Sequence, residues 1–349
     1  MKKTLALLLA LVMLLAMAAC GSTPSENNKP ADTPAPADNT PAPADTPAPA
    51  EDGSDDDGTT YKIGISQLVT HVALDAATQG FMDALTEKLG DRVEFDYQNA
   101  ANDSATCSTI ANAFVAAGVD LIMANATPAL VAASAATADI PILATSITEY
   151  GTALSIPDFS GTVGGNISGT SDLAPLDQQA AMIQEWYPDA VNIGLLYCSN
   201  EANSLYQVNT VQAYLEDMGY TCTQYTFADS NDIAAVCQTA ADESDVLYIP
   251  TDNTAASNTG IIDNICRGNI PVFCAEEGIC AGCGAATLSI SYYDIGYKTG
   301  EMAYDILVNG EDISTMPIAY APEFVKKYNP AICEALGVTA PEGYEVIEG

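Results

Sequence analysis

The amino-acid sequence predicts an α/β protein of two similar lobes, each a parallel sheet flanked by helices. Three observations lead there. From residue 61 onward, short apolar strands alternate with Ala-rich helical runs, the rhythm of βαβ units. Two strands also end alike. Val246-Leu247-Tyr248-Ile249 breaks at Pro250 into Thr251-Asp252-Asn253-Thr254 before an Ala-rich run, and Leu121-Ile122-Met123-Ala124 turns through Asn125-Ala126-Thr127-Pro128 into another. Third, landmarks recur at a nearly constant offset. Ile63-Gly64-Ile65 answers Ile193-Gly194-Leu195 and Ile140-Pro141-Ile142 answers Ile270-Pro271-Val272, both 130 residues on, while Asp120-Leu121-Ile122 answers Asp245-Val246-Leu247 at 125. Two copies are too few for a solenoid, so the repeat implies two lobes with a cleft between them.

Taken in order, Tyr61 to Leu68 reads as the first strand. A helix follows from Leu74 to Leu89, with Leu74, Phe81, Leu85 and Leu89 on one face and Gly90 ending it. The loop between them, Ser66 to His71, faces the cleft if the sheet is parallel, because ligands in such sheets sit beyond the carboxyl ends of the strands. Val93 to Tyr97 is the second strand, and Asp103 or Ser104 caps a helix carrying Ile110 and Phe114 before Gly118. Strands over 121–126 and 141–145 complete the first half, the latter opening into Ser146-Ile147-Thr148-Glu149. A Gly-rich passage, 161–169, leads to a crossing near 171.

The second half repeats the plan. A helix over Leu176 to Trp186 precedes the strand Ile193 to Tyr197 and the loop Cys198 to Ser204, which stands where Ser66 to His71 stands in the first half. A helix bearing Leu205, Val208, Leu215 and Met218 follows, then the strand Cys222 to Phe227 and a helix capped by Asp229-Ser230. After the 246–249 strand come strands at 271–274 and 287–290, and a helix carrying Ile295, Met302, Ile306 and Leu307. Trp186, the single tryptophan, reads as a packing residue at its helix end, and His71, the single histidine, as a loop residue with no nucleophile beside it.

The 349-residue chain carries 46 acidic against 10 basic residues. Residues 61–349 hold 37 of the acids and seven of the bases. Such a surface disfavours nucleic acid and anionic membranes as partners. The first 20 residues have Lys2 and Lys3, an apolar run from Leu5 to Leu15, and Met17-Ala18-Ala19 before Cys20, the pattern of a cleaved export signal rather than a membrane span. Cys20 in that place looks like a bacterial lipoprotein site, which implies lipidation and a membrane anchor on the extracytoplasmic face. Residues 21–60, rich in Pro, Ala and Asp, read as an extended, disordered tether. Nine further cysteines remain, an odd number. Cys280-Ala281-Gly282-Cys283, with Cys274 upstream, lacks the second pair that a four-Cys zinc site requires, and its Gly-rich setting reads as a surface loop holding a local disulfide or free thiols.

Signal, tether and paired lobes together resemble an extracellular solute-binding lipoprotein of an ABC importer, and more narrowly the tryptophan/tyrosine uptake subgroup. The matching stretches are Gly64 to His71, Ala126-Thr127-Pro128-Ala129, Ser199 to Ser204, Val246 to Asn253, and Tyr292-Tyr293-Asp294 near Gly300-Glu301-Met302. The sequence departs from the pattern in its many cysteines and in Val72, where Pro is usual. The resemblance implies a two-lobed periplasmic-binding-protein (Venus-flytrap) fold with three inter-lobe crossings, placed near 171, 291 and 321. One lobe then holds 61–171 plus 292–320, and the other 172–291 plus 321–349. It also implies a monomer without catalysis, cofactor or metal, whose partners are a small-molecule ligand, an ABC permease and its ATPase, and the membrane through Cys20.

A bound amino acid, plausibly aromatic, needs donors for its carboxylate and an acid for its ammonium. Ser66, Gln67, Thr127, Ser146 and Thr148 are the candidate donors. Asp252, Glu201 and Glu276 are candidates for the ammonium, and Asn200, Asn203 and Asn253 for further hydrogen bonds. Tyr292 or Tyr150 could supply an aromatic face. Each polar residue taken alone is also explained by turn and cap chemistry. A sugar or nucleoside ligand and a ligand-presenting sensor stay open. For an enzyme, the chain offers no Gly-x-Ser-x-Gly elbow, Walker loop or His-Glu-x-x-His.

Overall fold

Thirteen strands among the described residues fall into two sheets, and the chain changes sheet three times. A computed structural model describes residues 58–348; the export signal, Cys20 and nearly all of the tether lie outside them. The first sheet is built from β1 (Tyr61–Gln67), β2 (Val93–Asn99), β3 (Leu121–Asn125), β4 (Ile142–Ile147) and β5 (Ile167–Ser171). Helices α1 (Val72–Leu89), α2 (Ser104–Ala117), α3 (Thr127–Ala136) and α4 (Tyr150–Leu154) connect them. The chain then passes through α5 (Leu176–Trp186) into the second sheet: β6 (Asn192–Cys198), β7 (Thr221–Phe227), β8 (Val246–Ile249), β9 (Val272–Cys274) and β10 (Ala286–Ser289). Its connecting helices are α6 (Ala202–Asp217), α7 (Ile233–Glu243), α8 (Asn253–Ala256), α9 (Thr259–Cys266) and α10 (Glu277–Cys283). From β10 the chain returns to the first lobe as α11 (Tyr292–Leu307), packed along α1, and β11 (Ala319–Tyr320), paired with β5. It ends in the second lobe with β12 (Val325–Tyr328), α12 (Pro330–Leu336) and β13 (Glu345–Val346).

The two sheets share one topology. Their cores run β2-β1-β3-β4-β5 and β7-β6-β8-β9-β10, all parallel, and β12 alone pairs antiparallel, with β10. The offset repeat of the sequence is this duplication. Both faces of each sheet are covered, so the central strands are apolar throughout rather than alternating. In β3, Leu121 and Met123 face one core while Ile122 and Ala124 face another. In β8, Val246 and Tyr248 divide from Leu247 and Ile249 in the same way.

Close packing against α1 explains two glycines of α11 and α1. A Cβ on Gly80 would stand 2.1 Å from the Tyr293 carbonyl oxygen, and one on Gly296 2.0 Å from that of Ala77. At the far end of the second lobe Trp186 packs edge-on against Phe273 and Tyr344, with centroids at 5.7 and 5.2 Å. One expectation is corrected here. The 274–283 stretch is no surface loop: Cys274 lies in β9 and Cys280 and Cys283 in α10, all buried. Glu276 starts this helix by accepting hydrogen bonds from the Gly278 and Ile279 amides, which offsets the poor helix propensity of its glycines. The Ala-rich run after Asn253 also breaks, into α8 and α9, at the Ser257-Asn258 turn.

Candidate functional site

Parallel β-strands deliver their carboxyl ends to one edge of a sheet, and here the two edges face each other. The first lobe contributes His71 and Leu74 from the start of α1, and Ser146 and Thr148 from the end of β4. The second contributes Asn203 from α6, Thr251 to Asn253 after β8, and Glu276 after β9. Asp172 and Tyr292 line the gap from two of the passages between lobes. Three hydrogen bonds join the lobes across it: His71 Nε2 to Asn253 Oδ1 (3.3 Å), Thr148 Oγ1 with Thr251 Oγ1 (3.2 Å), and Asn102 Nδ2 to Thr254 Oγ1 (3.1 Å). The free space enclosed by these lining residues is about 10 Å³, room for one water.

Ser146 reaches the gap through an irregularity in its strand. Its φ is 57°, in the left-handed region that non-glycine residues seldom occupy, and the β4–β5 register shifts between Ala144 and Ile147. Such a bulge re-aims a side chain at some cost in backbone energy. The Ser146 hydroxyl is buried without a hydrogen-bond partner.

The four candidate acids differ in what their oxygens already hold. Glu201 accepts the amides of Asn253 and Thr254, the Thr254 hydroxyl and the side-chain amides of Asn253 and Asn203. Asp252 accepts the amides of Ala255 and Cys198 and the Ser204 hydroxyl. Both carboxylates thus use most of their acceptor capacity in tying β6, α6 and α8 together; burial and the nearby Glu201 raise the pKa of Asp252. Glu276 lines the gap but caps α10 with both oxygens, and burial pushes it up to about 7. Asp172, which the sequence reading passed over, is different. Its Oδ2 accepts the Tyr292 hydroxyl at 2.9 Å, while Oδ1 is buried with no partner. Burial raises its pKa against the opposing pull of that hydroxyl and of the nearby Thr148 hydroxyl.

Asn203 completes the set. Its Nδ2 donates to the Thr251 carbonyl at 2.8 Å and to Glu201, which leaves its buried Oδ1 unpartnered. Asn253 donates to Glu201 through Nδ2, so its Oδ1 must accept from His71, whose Nε2 therefore carries the proton. Burial lowers the His71 pKa and favours this neutral form.

Of the other expected site residues, Ser66 is buried with its hydroxyl unpartnered and does not line the gap. Gln67 is held internally by Val69, Asp75 and Thr78. Thr127 begins α3 away from the gap, and Asn200 bonds the Ala228 carbonyl at the surface. Tyr150 is buried with its hydroxyl on the Ala144 and Thr170 carbonyls, and offers no open face. Sequence reasoning could have found Asp172 from its place at an inter-lobe passage, and His71 from the strand-to-helix loop it occupies.

Two duplicated lobes, hinged by three passages and closing on a buried polar gap, define a bilobal ligand-capturing protein. The family model "ABC transporter substrate binding protein" matches residues 62–347, and the chain belongs to that family. A tyrosine-binding protein of Clostridioides difficile (strain R20291) is 36% identical over 271 residues, which cover 75% of this chain and 76% of the relative. Among solved structures, the ABC domain from Streptococcus pneumonia in complex with L-Trp shares 31% identity at a TM-score of 0.78, covering 83% of this chain and 100% of that one. A ligand-free, open substrate binding protein with adhesive properties from Clostridium difficile shares 38% at a TM-score of 0.65, covering 83% and 99%.

Proposed function

We propose that this substrate-binding protein captures a free amino acid with an aromatic side chain between its lobes. It acts without catalysis and hands the ligand to an ABC permease and its ATPase, while lipid on Cys20 holds it at the membrane. One observation carries the reading. Three buried oxygens that lack a donor, Asp172 Oδ1, Asn203 Oδ1 and Ser146 Oγ, all border the same gap. Buried acceptors without partners are rare and costly, and a primary ammonium has three N–H groups to give. Asp172 then supplies the countercharge in place of Glu201 and Asp252. The hydroxyls of Ser146 and Thr148 are the neighbouring donors for the carboxylate, and the Tyr292 ring borders the ligand.

The tyrosine named for the curated relative and the L-Trp of the solved complex support the aromatic choice. A gap of about 10 Å³ admits no amino acid, so the lobes must part for entry and close on the ligand. The higher TM-score to the L-Trp complex than to the open, ligand-free structure supports reading the present arrangement as a closed one. The lobes are taken as 61–171 with 292–320, and 172–291 with 321–349.

The test is calorimetric titration with tyrosine, tryptophan, phenylalanine and their deaminated propionate analogues. Selective binding of an amino acid, lost on removal of the amine, is the expected result. Equal affinity for the deaminated analogue, or binding only of a sugar or nucleoside, overturns the ammonium assignment.

A further inference from the structure

Six thiols gather in one core cluster of the second lobe: Cys198 of β6, Cys237 of α7, Cys266 at the end of α9, Cys274 of β9, and Cys280 and Cys283 of α10. All are buried and none is disulfide-bonded. The cleft uses none of them. Within the group, Cys237 Sγ and Cys266 Sγ are 3.6 Å apart, in van der Waals contact across two helices that pack together. A disulfide needs a sulfur separation of about 2.05 Å, so the remaining approach is about 1.5 Å. Cys266 is the last residue of its helix and precedes a turn through Gly268, whose φ of 68° marks a left-handed bend. That end of the helix has more freedom to adjust than its middle.

We propose that Cys237 and Cys266 are a redox-modifiable pair that closes to a disulfide when the protein meets a peroxide. Hydrogen peroxide is small enough to enter a packed core during local opening, which a bulky oxidant is not. Either thiol can donate toward the other, and Cys237 is taken as the attacking sulfur and Cys266 as the resolving one. The Cys237 thiolate attacks one peroxide oxygen; the S–O bond forms, the O–O bond breaks, and the departing hydroxide takes a proton to become water. The Cys266 sulfur then attacks the Cys237 sulfenic acid. The S–S bond forms, the S–O bond breaks, and hydroxide leaves with the Cys266 proton as the second water. Two thiols are oxidised and one peroxide is reduced to two waters.

The link would join α7 to α9, 29 residues apart in sequence, in the core that Leu247 and Ile249 of β8 face. It would stiffen the lobe without touching the cleft residues. An exported protein is exposed to such oxidants, and thioredoxin-type reductants reverse the change.

The experiment treats the mature, ligand-free chain with hydrogen peroxide, quenches it, alkylates all thiols in denaturant and measures intact mass and non-reduced peptides. Expected are two fewer alkylated thiols, one peptide pair joining Cys237 to Cys266, restoration by dithiothreitol, and a higher melting temperature with unchanged ligand affinity. Cys237→Ala and Cys266→Ala should each abolish the link. Undiminished alkylation, or a link joining other cysteines such as Cys280 and Cys283, overturns the proposal. If either variant fails to fold, the wild-type peptide map decides by itself.

Discussion

Asp172→Asn separates capture of the ammonium from the stability of the fold. In the free protein Asp172 is 5% exposed and has one bonded oxygen and one bare one. Its burial makes ionisation costly, so the neutral, nearly isosteric amide should not weaken the ligand-free protein and should raise its melting temperature at neutral and alkaline pH. With ligand present the balance reverses. Hydrogen bonds to a charged partner contribute about 1.5–3 kcal/mol, and removing one member of a buried ion pair costs about 3–5 kcal/mol. A loss near 3 kcal/mol corresponds to about 100-fold weaker binding. The substituted Nδ2 would also point N–H groups at an ammonium or displace the Tyr292 hydroxyl bond. Calorimetry at pH 7.5 measures the affinity and a thermal scan without ligand measures the fold. Affinity within about threefold of wild type would refute the countercharge role, and a large drop in ligand-free melting temperature would show that the residue is structural instead.

Lowering the pH should weaken binding of the same ligand. The raised pKa of Asp172 means that protonation competes with the ammonium as pH falls through that raised value, and titrations from pH 8 to 4 would read the decline. Glu276 acts on the ligand-free fold. Its folded pKa is raised from 4.5 to about 7, so its contribution is fully present below about 4.5 and is lost as pH rises to about 7, up to about 3 kcal/mol. Glu276→Gln should flatten that part of the stability profile in chemical denaturation. Glu201→Ala leaves the buried amides of Asn253 and Thr254 uncapped, at about 1–3 kcal/mol each, and should lower the melting temperature by about 10 °C; an unchanged transition would contradict its assignment as a structural acid. Gly80→Ala should cost about 1–3 kcal/mol by forcing α1 from α11, measured by urea titration.

The amino-acid sequence by itself determined the α/β class, the duplication, the strand ends that face the cleft and the family. These are carried by short-range patterns: apolar runs of strand length, caps such as Asp103 on Thr106, and words repeated 130 residues apart. Ser146, Thr148, Asn203, Asn253, Glu276 and Tyr292 reached the gap because a parallel sheet turns every strand's carboxyl end to one edge. Tertiary structure decided which polar groups remain free there. Glu201, Asp252 and Asp172 are all buried acids near strand ends, and nothing in their neighbours in sequence tells them apart. Their difference is a count of donors from elsewhere in the chain: four for Glu201, two for Asp252 and one for Asp172. The same holds for the cysteines, whose spacing suggests an exposed loop while packing of α7, α9 and α10 against β9 buries them together. Local chemistry writes the strand and the cap; which carboxylate is left unpaired is settled by partners that approach through space, because a buried charge is defined by everything around it.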